Sequence, residues 1–101
     1  MNRPTIEING QIIEMKNLKA RIWREVMKFE SERKDIDTVD YVDKQCAIIA
    51  MAFGVTADEV LDNLEIGEVT PKYFEVFNAI VAMLTEKLGK KNVEAEVAAQ
   101  A

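Results

Sequence analysis

The chain has 101 residues, of which 49% are hydrophobic and 31% charged, and its formal net charge is −5. This length supports one folded domain with a modest core and is too short for two. The acidic balance disfavours binding to nucleic acid or to an anionic membrane surface, because both carry negative charge.

The sequence holds one cysteine, Cys46, and no histidine. A lone cysteine cannot form an internal disulfide, so a reducing compartment is expected. The lack of histidine removes the commonest general base and the commonest transition-metal ligand. The N-terminus lacks the apolar region of a signal peptide, and no apolar run approaches the roughly 18–20 residues of a membrane span. We therefore expect a cytoplasmic protein without a cofactor.

A β-hairpin is predicted over residues 5–14, because Asn9-Gly10 is the strongest short signal for a type I′ turn. A two-residue loop leaves Ile12 on the polar face and puts the other isoleucines, Ile6, Ile8 and Ile13, on the opposite face. The alternatives for Ile12 are a cover from outside the hairpin or a register shifted by one residue. A hairpin alone is marginal in water, so this one must pack on helices or pair its free edge. Edge pairing between copies would give a homo-oligomer.

The first helix is predicted over residues 18–33. Its apolar side chains recur at helical spacing and are Leu18, Ile22, Trp23, Val26, Met27 and Phe29. Around it lies a basic strip that consists of Lys16, Lys19, Arg21, Arg24 and Lys28. Such a strip is most often a solvated face, although it could steer an acidic partner.

A second helix is predicted to begin at a cap on Asp37 or Thr38 and to run to about Phe53, with Gly54 in the left-handed conformation that ends it. Its apolar positions are Val39, Val42, Cys46, Ile49, Ala50 and Phe53. The last turns are apolar nearly all round, which is typical of a central helix. Because no histidine can activate Cys46, we expect it to be a buried small hydrophobe.

A short third helix is predicted to end near Leu64, because residues 56–59 fit a capping box between Thr56 and Glu59. It should bury Val60, Leu61 and Leu64. The fourth helix is predicted to open at Thr70-Pro71, with the hydroxyl at the N-cap and the proline at the first position. Its apolar residues are Tyr73, Phe74, Phe77, Ile80, Val81, Leu84 and Leu88, and Gly89 should end it.

The expected fold is therefore mainly α: an N-terminal β-hairpin followed by a compact bundle of about four helices. We expect one domain over residues 1–89 and a flexible C-terminal tail over residues 90–101, where aromatic residues are absent.

The carboxylates do not form a recognisable metal-binding or catalytic motif. Counted from Asp35, the sixth and twelfth positions of an EF-hand loop would be Asp40 and Cys46, where glycine and glutamate are needed. Acidic residues are common near the N-terminus of a helix, because they interact favourably with the helix dipole. An acid–base enzyme would need two inward carboxylates with opposed pKa shifts. We expect no enzymatic activity and no bound metal.

Aromatic side chains are the candidates for a binding surface. The core is their usual location, but a domain this small has difficulty burying all of them, and any left outside would mark a protein-binding site. The candidates are Trp23, Phe29, Tyr73, Phe74 and Phe77.

The order of elements carries a family resemblance over residues 5–89. It comprises the hairpin TIEINGQIIE at residues 5–14, KARIWR at 19–24, IIAMAFG at 48–54, VTADEV at 55–60, and the last helix at 73–88. This arrangement resembles the tail assembly chaperones of long-tailed bacteriophages and prophages, especially those of Gram-positive hosts.

The resemblance implies a non-enzymatic protein in the cytoplasm of the bacterial host. It would bind the tape measure protein and keep it soluble until tail-tube subunits, a further partner, polymerise around it. Many such chaperones have a longer form made by ribosomal frameshifting, and Lys90-Lys91 is a candidate for slippery codons. The alternative is a generic protein-interaction or adaptor domain, or a small regulatory domain of a mobile element.

Overall fold

A computed structural model describes residues 3–88, with the side chains described through Glu86. Gly89 and the predicted tail lie outside the described residues. Two strands and four helices follow one another: β1 Thr5–Ile8, β2 Gln11–Glu14, α1 Ala20–Glu32, α2 Thr38–Phe53, α3 Ala57–Asn63 and α4 Val69–Leu88. The predicted mainly α fold with an N-terminal hairpin is confirmed.

The hairpin has the predicted register, with Ile6 opposite Ile13 and Ile8 opposite Gln11. Asn9 and Gly10 adopt the positive φ angles of 52° and 82° that the tight turn requires. Ile12 is 75% exposed, whereas Ile6 and Ile8 are buried against the helices. The hairpin thus uses its apolar face to pack on the helical part of the molecule.

Two side chains from the helices hold the hairpin, one at β1 and one at the turn. Lys72 Nζ donates a hydrogen bond to the Thr5 carbonyl oxygen at 2.7 Å. Asn63 Oδ1, at the end of α3, accepts from the backbone N–H of Asn9 at 2.8 Å. These contacts tie the hairpin to α3 and α4.

Helix α2 is the central helix, as predicted, and contacts α1, α3 and α4. Asp37 caps it by accepting from the Asp40 N–H at 2.9 Å, and Gly54 ends it with a φ of 71°. One expectation is wrong: Val39, placed on the apolar stripe, is 69% exposed. Full burial in α2 begins only at Gln45, so its first turns lie at the edge of the core.

Helix α3 begins with the predicted capping box. Thr56 Oγ1 accepts from the Glu59 N–H at 3.1 Å, and Glu59 Oε1 accepts from the Thr56 N–H at 3.0 Å. Val60 is buried, but Leu61, expected in the core, is 42% exposed. The adjacent positions of a helix point in different directions, so α3 buries Val60 and leaves Leu61 outside.

Helix α4 begins at Val69, earlier than predicted, and Thr70 is not its cap. The Thr70 hydroxyl instead donates to Oε1 of the fully buried Gln45 on α2 at 3.0 Å. Pro71 then lies in the first turn, where its missing N–H costs no hydrogen bond. The prediction of Thr70 as the N-cap is wrong for a tertiary reason, because its hydroxyl is bound to a residue 25 positions away in the chain.

Among the described residues, no helix is both long and apolar enough to cross a membrane.

Candidate functional site

Four of the five candidate aromatic residues meet around Tyr73. Its ring centroid lies 5.3 Å from Phe29, 5.6 Å from Phe74 and 6.2 Å from Phe77. Tyr41 joins the cluster through an edge-to-face contact with Phe29 at 5.2 Å. Such pairs contribute about 0.5–1.5 kcal/mol each beyond their burial. The cluster therefore joins α1, α2 and α4.

Tyr73 is locked into this cluster by its hydroxyl, which donates to Glu30 Oε2 at 2.6 Å. Glu30 also lies near Arg33, with 3.6 Å between Oε1 and Nη1. Burial, and then the Glu30 carboxylate, raise the pKa of Tyr73 far above its ordinary value. Tyr73 is thus a neutral hydrogen-bond donor at any physiological pH.

The five candidate residues differ in burial: two lie in the core and three are partly exposed. Phe29 and Tyr73 belong to the core and offer no surface to a partner. Phe74 is 41% exposed, and Phe77 is half-buried beside it. Trp23 is half-buried and faces a separate depression.

That depression, which we call the α1–α4 groove, has a volume of about 480 Å³. Its apolar lining combines the start of α1 with the second half of α4. The lining side chains are Leu18, Ile22, Trp23, Ile80, Met83 and Leu84. Ile22 and Ile80 are buried and form the floor, while the other four are half-buried and remain partly open to solvent.

Charged side chains stand at the rim of the α1–α4 groove. They are Arg3, Lys19 and Glu86. Arg3 is held in place because its guanidinium donates to the Met15 carbonyl oxygen at 3.0 Å and to Asn17 Oδ1 at 2.6 Å. The described lining includes a single carboxylate, whereas the acid–base enzyme considered from the sequence needs two. The groove is suited to apolar side chains.

Two other kinds of group could carry chemistry: the thiol of Cys46 and clusters of side chains that bind metal ions. Cys46 is buried, as predicted, and its thiol pKa is raised by burial and then by the Asp43 carboxylate, which keeps the thiol protonated. Among the side chains described, no three cysteine, aspartate or glutamate residues gather closely enough to hold a metal ion.

Sequence reasoning missed Tyr41 and Met83. Tyr41 lies two helical turns before the buried Ile48, on the same side of α2, so a stripe widened to include Ile48 would have reached it. Met83 lies three residues after Ile80 and hence on the same side of α4. The sequence cannot show that Met83 lines a groove, because the groove exists only where α1 and α4 lie side by side in the fold.

No model of a known protein family, no curated protein and no solved structure matches the chain. The fold and the groove define a small helical protein with an N-terminal hairpin and an open apolar depression. That depression is open to solvent and lined mainly by apolar side chains.

Proposed function

We propose that this protein is a chaperone that holds an apolar helical segment of a client protein in the α1–α4 groove. In its specific form, the proposal is a phage tail assembly chaperone whose client is the tape measure protein. The observation that carries the proposal is the groove itself, with its apolar lining and its opening to solvent. Binding of an amphipathic helix in an apolar groove is a common mode of recognition.

The lining suits a client of variable sequence. Trp23 presents a large apolar surface, and Met83 has a flexible side chain that adapts to irregular partners. Each is half-buried, so a client can cover the remainder. Every Å² of apolar surface removed from water contributes about 25 cal/mol. Such a groove favours apolar helices without demanding one sequence, which is what a chaperone of a long helical client needs.

The client is suggested by the family resemblance of residues 5–89. In this role the protein acts in the cytoplasm of the bacterial host cell, without catalysis or a cofactor. It keeps the tape measure protein soluble until tail-tube subunits assemble around it. Co-expression of the full chain with the tape measure protein of the same gene cluster should therefore raise the soluble fraction of that client.

Fluorescence of Trp23 offers a direct test, since it is the only tryptophan of the chain. A tryptophan-free peptide from an apolar helix of the tape measure protein should shift the Trp23 emission to the blue as it covers the ring. The variant Leu84→Glu should weaken this binding about tenfold or more, because a carboxylate is costly in an apolar contact. Circular dichroism checks that the variant is folded.

The matched control is Ile12→Glu, which adds the same charge on the exposed face of the hairpin and should bind like the unmodified chain. Absence of both the emission shift and the gain in soluble client would contradict the proposal. Equal affinity for unrelated amphipathic helices would instead favour the generic interaction domain.

A further inference from the structure

The turn between α3 and α4 presents an apolar side chain in an acidic setting. Ile66 is 99% exposed at its tip, and Leu61 is exposed on the adjacent helix. The same segment of the chain carries the carboxylates Asp58, Asp62, Glu65 and Glu68, and no lysine or arginine occurs between Lys44 and Lys72. We call Leu61, Ile66 and these four carboxylates the acidic knob.

The acidic knob is held in a defined conformation. Glu68 Oε1 accepts a hydrogen bond from the Glu65 N–H at 2.9 Å, and the Glu68 N–H donates to the Glu65 carbonyl oxygen at 2.8 Å. Ile66 therefore projects from a closed turn. Pre-organisation of this kind lowers the entropy that binding must remove.

On another part of the surface, α1 and α2 form a second groove with the opposite charge. Its volume is about 240 Å³; the buried Phe29 and Ile48 lie at its floor, and Ala47 and Met51 are its exposed apolar residues. Three cations flank it: Arg21 and Lys28 on α1, and Lys44 on α2. Glu25 is its one acidic lining residue. We call this the α1–α2 groove, and it shares no lining residue with the α1–α4 groove.

The three cations of the α1–α2 groove have no ion-pair partner within 4.0 Å among the residues that the structure describes. The same holds for the carboxylates of the acidic knob. The chain thus carries an exposed isoleucine in an acidic segment without ion pairs, and an apolar groove flanked by unpaired positive charge.

We propose that the acidic knob of one molecule docks into the α1–α2 groove of a second copy, with Ile66 in the groove. Docking brings the knob carboxylates beside Arg21, Lys28 and Lys44, and it removes Ile66 from water. Opposite charges speed and orient such an encounter, and salt weakens it. The apolar contact supplies affinity and the charges supply direction.

The two surfaces differ, so the contact is head-to-tail and not two-fold symmetric. Each bound pair keeps one free knob and one free groove, and further copies can add to form a ring or a filament. This association uses residues other than those that line the α1–α4 groove. It also differs from pairing of hairpin edges, in which Ile12 would take part.

Sedimentation velocity of the full chain tests the proposal. The average mass should rise with protein concentration and fall as salt is added. Ile66→Ser, and the double variant Lys28→Glu/Lys44→Glu, should each weaken self-association about tenfold or more. Ile12→Ser is the matched control, since it removes another largely exposed isoleucine, outside both surfaces, and should leave the association unchanged.

Mixing the two variants tests the head-to-tail geometry. The Ile66→Ser chain keeps an intact groove, and the groove variant keeps an intact knob. An equimolar mixture should therefore form a one-to-one complex that grows no further. A wild-type chain that stays monomeric at every soluble concentration would overturn the proposal. So would association that Ile66→Ser leaves intact, or a mixture that remains monomeric.

Discussion

Gly54 is a position where the backbone itself demands glycine. Its φ of 71° lies in the left-handed region, and an added Cβ would make only ordinary van der Waals contact with the Lys16 side chain, at 3.4 Å and 3.5 Å. The cost of a side chain there is therefore backbone strain. We expect Gly54→Ala to lower the free energy of unfolding by about 1–2 kcal/mol, measured by urea denaturation.

Gly67 provides the matched control for Gly54. Its φ is outside the left-handed region, and a Cβ there meets nothing within 4 Å. Gly67→Ala should be neutral or should stabilise the protein by about 0.4–1 kcal/mol, because alanine reduces the freedom of the unfolded chain. If the two substitutions cost the same, backbone strain is not the reason for glycine at position 54.

The Tyr73 hydroxyl is a second residue-scale determinant, because its bond to Glu30 crosses from α4 to α1. Tyr73→Phe should reduce the free energy of unfolding at neutral pH by about 1.5–3 kcal/mol, the range for hydrogen bonds to charged groups. The Tyr41 hydroxyl makes no hydrogen bond to the described residues. Tyr41→Phe should therefore lower the free energy of unfolding by less than about 0.5 kcal/mol. Similar losses in both variants would contradict the assignment.

The raised pKa of Tyr73 also gives a pH dependence. The unfolded chain releases the tyrosine proton at about pH 10, whereas the folded chain retains it. Above that pH the unfolded state binds fewer protons, so stability falls as pH rises. The stability difference between the wild type and Tyr73→Phe should therefore shrink above about pH 10. A difference that stays constant in denaturation curves there would contradict this account.

At the scale of elements, the capping box carries a large share of the stability of the short helix α3. Helices this short are marginal by themselves. Thr56→Val, which keeps the shape and removes the hydroxyl, should cost about 0.5–2 kcal/mol. Hydrogen exchange should show the α3 amides losing protection before those of α2. Thr38→Val is the control, since Asp37 caps α2 and Thr38 does not.

Several element boundaries could be predicted because they depend on neighbours in the chain. The turn at Asn9-Gly10, the Asp37 cap and the Gly54 terminus each rest on contacts within about five residues. The start of α4 could not be predicted in this way. Thr70 has the chemistry of a cap, but its hydroxyl binds Gln45 on another helix.

At the scale of the whole molecule, the position of an isoleucine relative to the core decides how much it contributes to the stability of the fold. Ile49 is fully buried in central α2, while Ile12 lies on the open face of the hairpin. Ile49→Ala should destabilise the protein by about 2–5 kcal/mol through lost burial and a cavity. Ile12→Ala should change stability by less than about 0.5 kcal/mol. Thermal unfolding of both variants checks this contrast, which equal effects would contradict.

By itself, the sequence determined the mainly α class, the hairpin register and the central place of α2, because periodicity and local caps record them. It also identified the aromatic residues that meet in the molecule, except Tyr41. Only the tertiary structure decided their roles, burying Phe29 and Tyr73 and leaving Trp23 in a groove. It likewise left Ile66 exposed. Burial and groove shape depend on which helices pack together, and that packing joins residues far apart in the chain.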